Sequence, residues 1–155
     1  MSLIIRPYQS RDARPLAELF YASVHRSALG PYNQAQLDAW APYPIDYGLW
    51  RQKLDLLQPL VAEQDGTLTG FMTLEPSGLI GLAFTHPDFQ RQGVAQALYR
   101  QLEHRAREQG LTQLTVDASK LAKPFFAKQG FSVTSENQVQ RRGKILVNWT
   151  MEKAL

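Results

Sequence analysis

The stretch from His86 to Gly110, HPDFQRQGVAQALYRQLEHRAREQG, constrains the fold of this chain most, because a glycine-bearing turn there joins a strand-like run to an amphipathic helix. Upstream, Leu79 to Thr85 (LIGLAFT) is a short apolar run between Ser77-Gly78 and His86-Pro87, the pattern of a buried strand. Downstream, Val94, Leu98, Leu102 and Ala106 recur at helical spacing while Arg100, His104, Arg107 and Glu108 take the other side. That periodicity predicts a helix with one apolar face, closed by Gly110. At the junction, Gly93 and the small Ala95 let the backbone approach a ligand closely, and the first helical amides, which lack intrahelical partners, point at one spot. The helix dipole adds partial positive charge there, so the spot suits an anion such as a pyrophosphate. By themselves Gly93 and Ala95 fit an ordinary strand-to-helix turn equally well.

Around this unit, Leu3 to Tyr8 reads as a first strand, and Leu16, Leu19, Phe20 and Val24 share one face of a helix from about Asp12 to Ser27. Gly30-Pro31 breaks it. Asn33 begins a second helical stretch containing Leu37 and Trp40, and Asp46 to Leu57 forms a third carrying Leu49, Trp50, Leu54 and Leu57. From Pro59 the periodicity shortens: Pro59 to Glu63 and Leu68 to Leu74 are strand-like and joined by Asp65-Gly66, a hairpin signal. After the long helix come a strand from Leu111 to Val116 and a short helix from Lys120 to Gln129 with Pro124 in its first turns. A final hairpin, Phe131 to Gln140 and Lys144 to Met151, turns at Arg142-Gly143. The order predicts an α/β (α+β) chain, one domain over residues 1–155, with a mixed, mostly antiparallel twisted sheet of about seven strands flanked by helices.

Composition narrows the function classes. With 44% hydrophobic and 20% charged residues the chain is globular, and no apolar run approaches the roughly eighteen residues of a membrane span. MSLIIRPYQS does not read as a signal peptide, since Arg6 and Pro7 interrupt it, and a cytoplasmic location is expected. The absence of cysteine excludes disulfides, zinc-cysteine sites and thiol nucleophiles. A net charge of +3 fits either nucleic acid or a small polyanion. The basic residues are dispersed, however, and the densest cluster, Arg141-Arg142-Gly143-Lys144, falls on a hairpin turn without any nucleic-acid-binding signature, so the polyanion is favoured.

His86 to Ala95 resembles the acetyl-CoA-binding motif of the GNAT superfamily of N-acetyltransferases, Q/R-x-x-G-x-G/A after a strand, matched by Gln90, Gly93 and Ala95. A second block, Asp117 to Phe131 (DASKLAKPFFAKQGF), is similar to that family's later strand-to-helix segment. Ser23-Val24-His25 and Gln36 to Pro42 resemble a small bacterial branch. The resemblance implies the GNAT fold, acetyl-CoA as acyl donor and direct attack by the amine of a small molecule. It implies that the amides of Arg91, Gln92, Gly93, Val94, Ala95 and Gln96 hold the pyrophosphate of coenzyme A, and that the edge of Ala83, Phe84 and Thr85 pairs with the pantetheine arm. Ser119 occupies the position of an asparagine that bonds the pantetheine, and fits a helix cap equally well.

Two departures stand out. Phe126, beside the cofactor, replaces the tyrosine that protonates the leaving sulfur in the family, and Gly81 stands where relatives carry an aspartate. Candidates to supply the missing chemistry are His25, Tyr32, Glu75 and Ser119. His25, Tyr32 and Trp40 are also candidates for acceptor binding, in the aromatic segment that includes Tyr43, Tyr47 and Trp50, although core packing fits these residues too. No metal is expected. The expected partner is a small-molecule amine, with no membrane and no nucleic acid, and a homodimer is compatible with the chain. An acyl-CoA-binding module or sensor without turnover is the alternative that Phe126 and Gly81 motivate.

Overall fold

The computed structural model describes residues 2–155. Strand β1 (Leu3–Pro7) leads to helix α1 (Ala13–Ala22), which runs on through a π-helical turn at Ser23–Ser27, so the expected first helix is present with its last turn widened. Helices α2 (Gln34–Trp40) and α3 (Tyr47–Leu57) follow. Each starts at a side-chain cap: Asn33 accepts from the Gln36 amide at 2.9 Å, and Asp46 accepts from the Leu49 amide at 3.0 Å. Such caps satisfy amides that the first helical turn leaves without acceptors.

Strands β2 (Leu60–Gln64), β3 (Thr67–Met72), β4 (Leu79–Ile80) and β5 (Ala83–Thr85) precede the long helix α4 (Val94–Glu108). Then come β6 (Gln113–Ala118), α5 (Lys123–Lys128), β7 (Ser132–Arg141) and β8 (Lys144–Ala154). The mixed, mostly antiparallel arrangement is as expected, with one difference. The run Leu79 to Thr85 is two strands in two sheets, ordered β1-β2-β3-β5 and β4-β6-β8-β7, in which only β4 and β6 are parallel. The break falls at Gly81-Leu82, where buried Thr73 bonds Leu82 twice: its amide donates to the Leu82 carbonyl and its hydroxyl accepts from the Leu82 amide, both at 2.9 Å. Those bonds hold Leu82 to the first sheet while Ile80 pairs with Val116 in the second.

Side-chain alternation along the strands builds a core on each face. Val61 and Phe71 join Leu16, Leu19, Val24, Leu37 and Leu54 under α1, α2 and α3. Their neighbours Leu60, Ala62 and Met72 pack with Val94, Leu98, Leu102 and Ala106 of α4 and with Phe126 and Phe131. The four-residue apolar repeat of α4 is thus its buried stripe, and each fully buried leucine in it stabilises the fold by about 1.5–3 kcal/mol.

Candidate active site

Where β4 and β5 part, a cleft of about 670 Å³ opens between the two sheets. One wall is the β5 edge. Leu82 and His86 direct their bonds to β3, with the His86 amide donating to the Thr69 carbonyl at 2.8 Å, so backbone alternation turns the polar groups of Ala83 and Thr85 to the open edge. Phe84 pairs with Phe71 of β3, and it is its ring that lines the cleft. Facing this edge are Asp117, Ala118 and Ser119, beyond the point where β4 stops covering β6.

The glycine loop stands at the start of α4. Gly93 has φ +85° and Arg91 φ +60°, successive turns into left-handed space that direct neighbouring amides to one side, the geometry of an anion nest. Gly93 also supplies no side-chain cap, and the first backbone bond it accepts comes from Ala97 at 3.0 Å. The amides of Val94, Ala95 and Gln96 therefore have no acceptor within the helix. Arg91, Gln92 and Gly93 are exposed, so the nest is open to a ligand. The loop is held from behind: Arg26 pairs with Asp88 at 2.6 Å, and the Gln90 side chain donates to Ser27 at 2.9 Å. Gln96 and Gln129 exchange amide bonds of 3.2 and 2.7 Å, tying α4 to α5. An exposed nest of free amides and an unpaired strand edge match in kind the anionic and amide-bearing parts of coenzyme A.

The candidates for proton transfer separate into two groups. Glu75 reaches toward the break in the strand, where a Cβ built on Gly81 would lie 2.8 Å from its Oε2 and 3.3 Å from Thr73 Oγ1. Its carboxylate thus occupies the space that a side chain at position 81 would need. Ser119 lines the cleft while its oxygen accepts from the Ala122 amide at 3.2 Å; the cap leaves its proton available to a second acceptor. Phe126 also lines the cleft but is buried edge-on against Phe125 and Phe131, and carries no proton to give.

Tyr32 and His25 are held by the protein itself. The Tyr32 hydroxyl donates to the Val147 carbonyl at 2.7 Å and accepts from the Lys120 amide at 3.0 Å, so it braces β8 against the turn before α5. Burial pushes its phenol above the ordinary value, an effect that the Lys120 amide opposes. His25 stacks on Tyr21, with ring centroids 4.2 Å apart, and its Nε2 bonds the Ala41 carbonyl at 2.7 Å. Its other nitrogen lies 4.0 Å from Asp38, and it is Tyr21 and Ala41, not His25, that line the cleft.

The opposite end of the cleft is aromatic. Phe20 packs against Trp50 (4.7 Å), Phe84 (4.9 Å) and Trp40 (6.5 Å), and Trp40 meets Tyr32 at 5.7 Å. Tyr43 and Tyr47 do not join them: Tyr43 is 80% exposed, and Tyr47 turns to Glu18 and Arg14 on the outer surface. Sequence reasoning did not single out Phe20, Lys53 or Arg141 for this site, although Lys53 follows Trp50 by one helical turn and could have been found from that spacing. Among the described residues no group of three or more acidic or histidine side chains could hold a metal ion, and no helix is long and apolar enough to cross a membrane.

Comparison with known proteins agrees with this geometry. Residues 28–153 match the family model for an acetyltransferase (GNAT) domain. The uncharacterized N-acetyltransferase YafP of Escherichia coli K12 is 36% identical over 147 residues, covering 95% of this chain and 93% of that protein. A GCN5-related N-acetyltransferase from Rhodopseudomonas palustris superimposes with a TM-score of 0.94 at 34% identity, over 100% of this chain and 97% of that one. The PaiA N-acetyltransferase of Thermoplasma acidophilum, solved in complex with coenzyme A, shares the fold with a TM-score of 0.78 at 18% identity, over 100% of both chains.

Proposed function

The chain belongs to the GNAT family of acetyltransferases and is an acyltransferase, and on that premise we propose that it moves the acetyl group of acetyl-CoA to the primary amine of a small molecule by direct attack. The observation that carries this reading is the parting of β4 from β5, which opens a cleft lined by the β5 edge and an aromatic chamber, with the exposed amide nest before α4 a few residues beyond the end of that edge. Acetyl-CoA supplies a thioester carbonyl and a thiol leaving group. The amides from Arg91 to Gln96 would hold its pyrophosphate, and Ala83 and Thr85 would pair with its pantetheine amides as a strand pairs with an edge. PaiA, with coenzyme A bound on the same fold, supports that assignment by likeness.

Within this reading Glu75 accepts the amine proton, directly or through water. Support comes from its carboxylate lying over Gly81, the position at which the resemblance implies an aspartate. A lysine-like amine, with a pKa of about 10.4, is neutral to only about one part in a thousand at pH 7, so deprotonation is the larger demand on the protein. The thiol, with a pKa near that of cysteine at about 8.5, leaves with little help, and the Ser119 hydroxyl can supply what Phe126 cannot. His25 and Tyr32 act here as positioning residues, one fixing Ala41 and the other fixing β8 against the Ser119 turn.

Thiol release from acetyl-CoA, measured across a panel of primary amines, tests the proposal. Wild type should turn over at least one amine class, and Glu75→Gln should lower kcat/KM by about a hundredfold or more, the usual worth of a positioned general base. A protein that binds acetyl-CoA but releases no thiol with any amine up to about pH 9 would refute small-amine transfer. Unchanged kinetics in the glutamine variant would remove Glu75 from the reaction.

A further inference from the structure

The far end of the cleft holds two cations that the reaction itself does not need. Lys53 projects from α3 and Arg141 stands at the end of β7, and both line the chamber beyond Trp50. Neither side chain makes an ion pair among the described residues, and the only aromatic partner is the Trp50 ring, 5.2 Å below the Lys53 ammonium. Every other charged group lining the cleft is already held: Arg142 donates to the Ala39 carbonyl at 2.7 Å, Asp46 caps α3, and Asp117 accepts from Thr150 at 2.7 Å. Lys53 and Arg141 both stand at the exposed mouth of the cleft, where partial loss of water, and then the charge of Arg141, lower the Lys53 ammonium below its ordinary value.

We propose that the acceptor carries an anionic group, a carboxylate or a phosphonate, across an apolar body from its amine, and that Lys53 and Arg141 receive this anion. The inference rests on the transferase reading and names the acceptor class within it. Three observations support it. The rings of Phe20, Trp40, Trp50 and Phe84 touch one another and line the same cleft as Gly81 and the two cations, an apolar wall that suits an apolar body. An acceptor amine arrives mostly as an ammonium, and in a cleft whose lining holds three cations against the two carboxylates Asp46 and Asp117, an acceptor that also brings a negative charge is favoured. Finally, an anion between Lys53 and Arg141 replaces like-charge repulsion with two charge-assisted hydrogen bonds.

The test uses acceptors that share a ring and an aminoethyl arm: phenethylamine, 4-(2-aminoethyl)benzoate and the corresponding phosphonate. Wild type should prefer at least one of the anionic acceptors over phenethylamine by about ten- to a hundredfold in kcat/KM, the range for charge-assisted bonds. In the double variant Lys53→Gln with Arg141→Gln that ratio should fall to about one, while Lys53→Arg should retain it; calorimetry with coenzyme A checks that each variant is folded. A preference absent from wild type, or one that survives in the double variant, overturns the proposal. Binding of 4-ethylbenzoate to the coenzyme A complex, read by calorimetry, needs no amine and no turnover. It should be detectable in wild type and lost in the double variant even if no acetyl transfer is found, which separates failure of this subsite from failure of the transferase reading.

Discussion

At the scale of single residues, positions 75 and 81 share one space. A side chain at 81 would meet the Glu75 carboxylate at its first carbon, 2.8 Å away, and an aspartate there would add like-charge repulsion to the clash. A chain with glycine at 81 can therefore keep an acid at that place, reached from the turn that follows β3. The turn itself is tight: the Glu75 amide donates to the Leu79 carbonyl and the Gly78 amide to the Glu75 carbonyl, both at 2.9 Å. Gly81→Asp alone should therefore lower kcat/KM by about tenfold or more, through displacement of the general base. Combined with Glu75→Gly, the same substitution should restore activity to within about tenfold of wild type, because one carboxylate again has the space. Steady-state kinetics of the two variants decide the matter: if the double variant is no better than Gly81→Asp alone, the two positions do not exchange roles.

Among the elements, the loop before α4 carries the clearest local requirement. A Cβ at Gly93 would meet nothing within 4 Å, so the glycine is needed for its φ of +85° and not for space. A β-branched residue disfavours that conformation by about 1–3 kcal/mol and would turn the helical amides away from the nest. Gly93→Val should weaken coenzyme A binding by at least about tenfold while lowering the melting temperature by about 2–12 °C, so that the protein stays folded at 25 °C; calorimetry showing wild-type affinity would exclude this loop as the phosphate site. This element is legible in the sequence because its signals are local: a glycine, a small residue two places on, and a four-residue apolar repeat. The break in LIGLAFT is only partly so: Gly81 marks where it can fall, but the two Thr73 bonds to Leu82 that fix it arise only when β3 and β5 are side by side. For the same reason the shared place of Lys53 and Arg141 on the cleft lining is hidden, since α3 and the end of β7 come to one cleft only in the folded chain. His25 shows the converse. Its chemistry suggested a base, and the fold instead sets its ring on Tyr21 and its Nε2 on the Ala41 carbonyl, outside the lining of the cleft.

For the molecule as a whole, activity and stability should respond to pH in separate windows, and the reason lies in different groups. The buried Asp12 joins β1 to the start of the first helix, accepting from Arg6 at 2.8 and 2.9 Å and from the Gln9 amide at 2.8 Å. Burial alone would raise its carboxyl, but these bonds outweigh that effect and hold it below the usual carboxylate range. An aspartate depressed in this way contributes stability at every pH above its unfolded value of about 3.9, and the contribution is lost as pH falls through the lower, folded value. Glu103 behaves alike: burial would raise it, and Lys153 and Tyr99 lower it instead. Acid should therefore weaken the fold only below about pH 4, well away from the range in which the acceptor amine gains its lone pair. Between about pH 6 and 9 an alkylamine with a pKa near 10.4 gains about tenfold in neutral form for each pH unit, so kcat/KM for such an acceptor should climb with nearly that slope while the melting temperature stays flat. Parallel rate and melting measurements over this range provide the check. A melting temperature that falls in step with kcat/KM as pH is lowered from 9 to 6 would show that the profile reports loss of the fold, and the assignment of the slope to amine deprotonation would have to be abandoned.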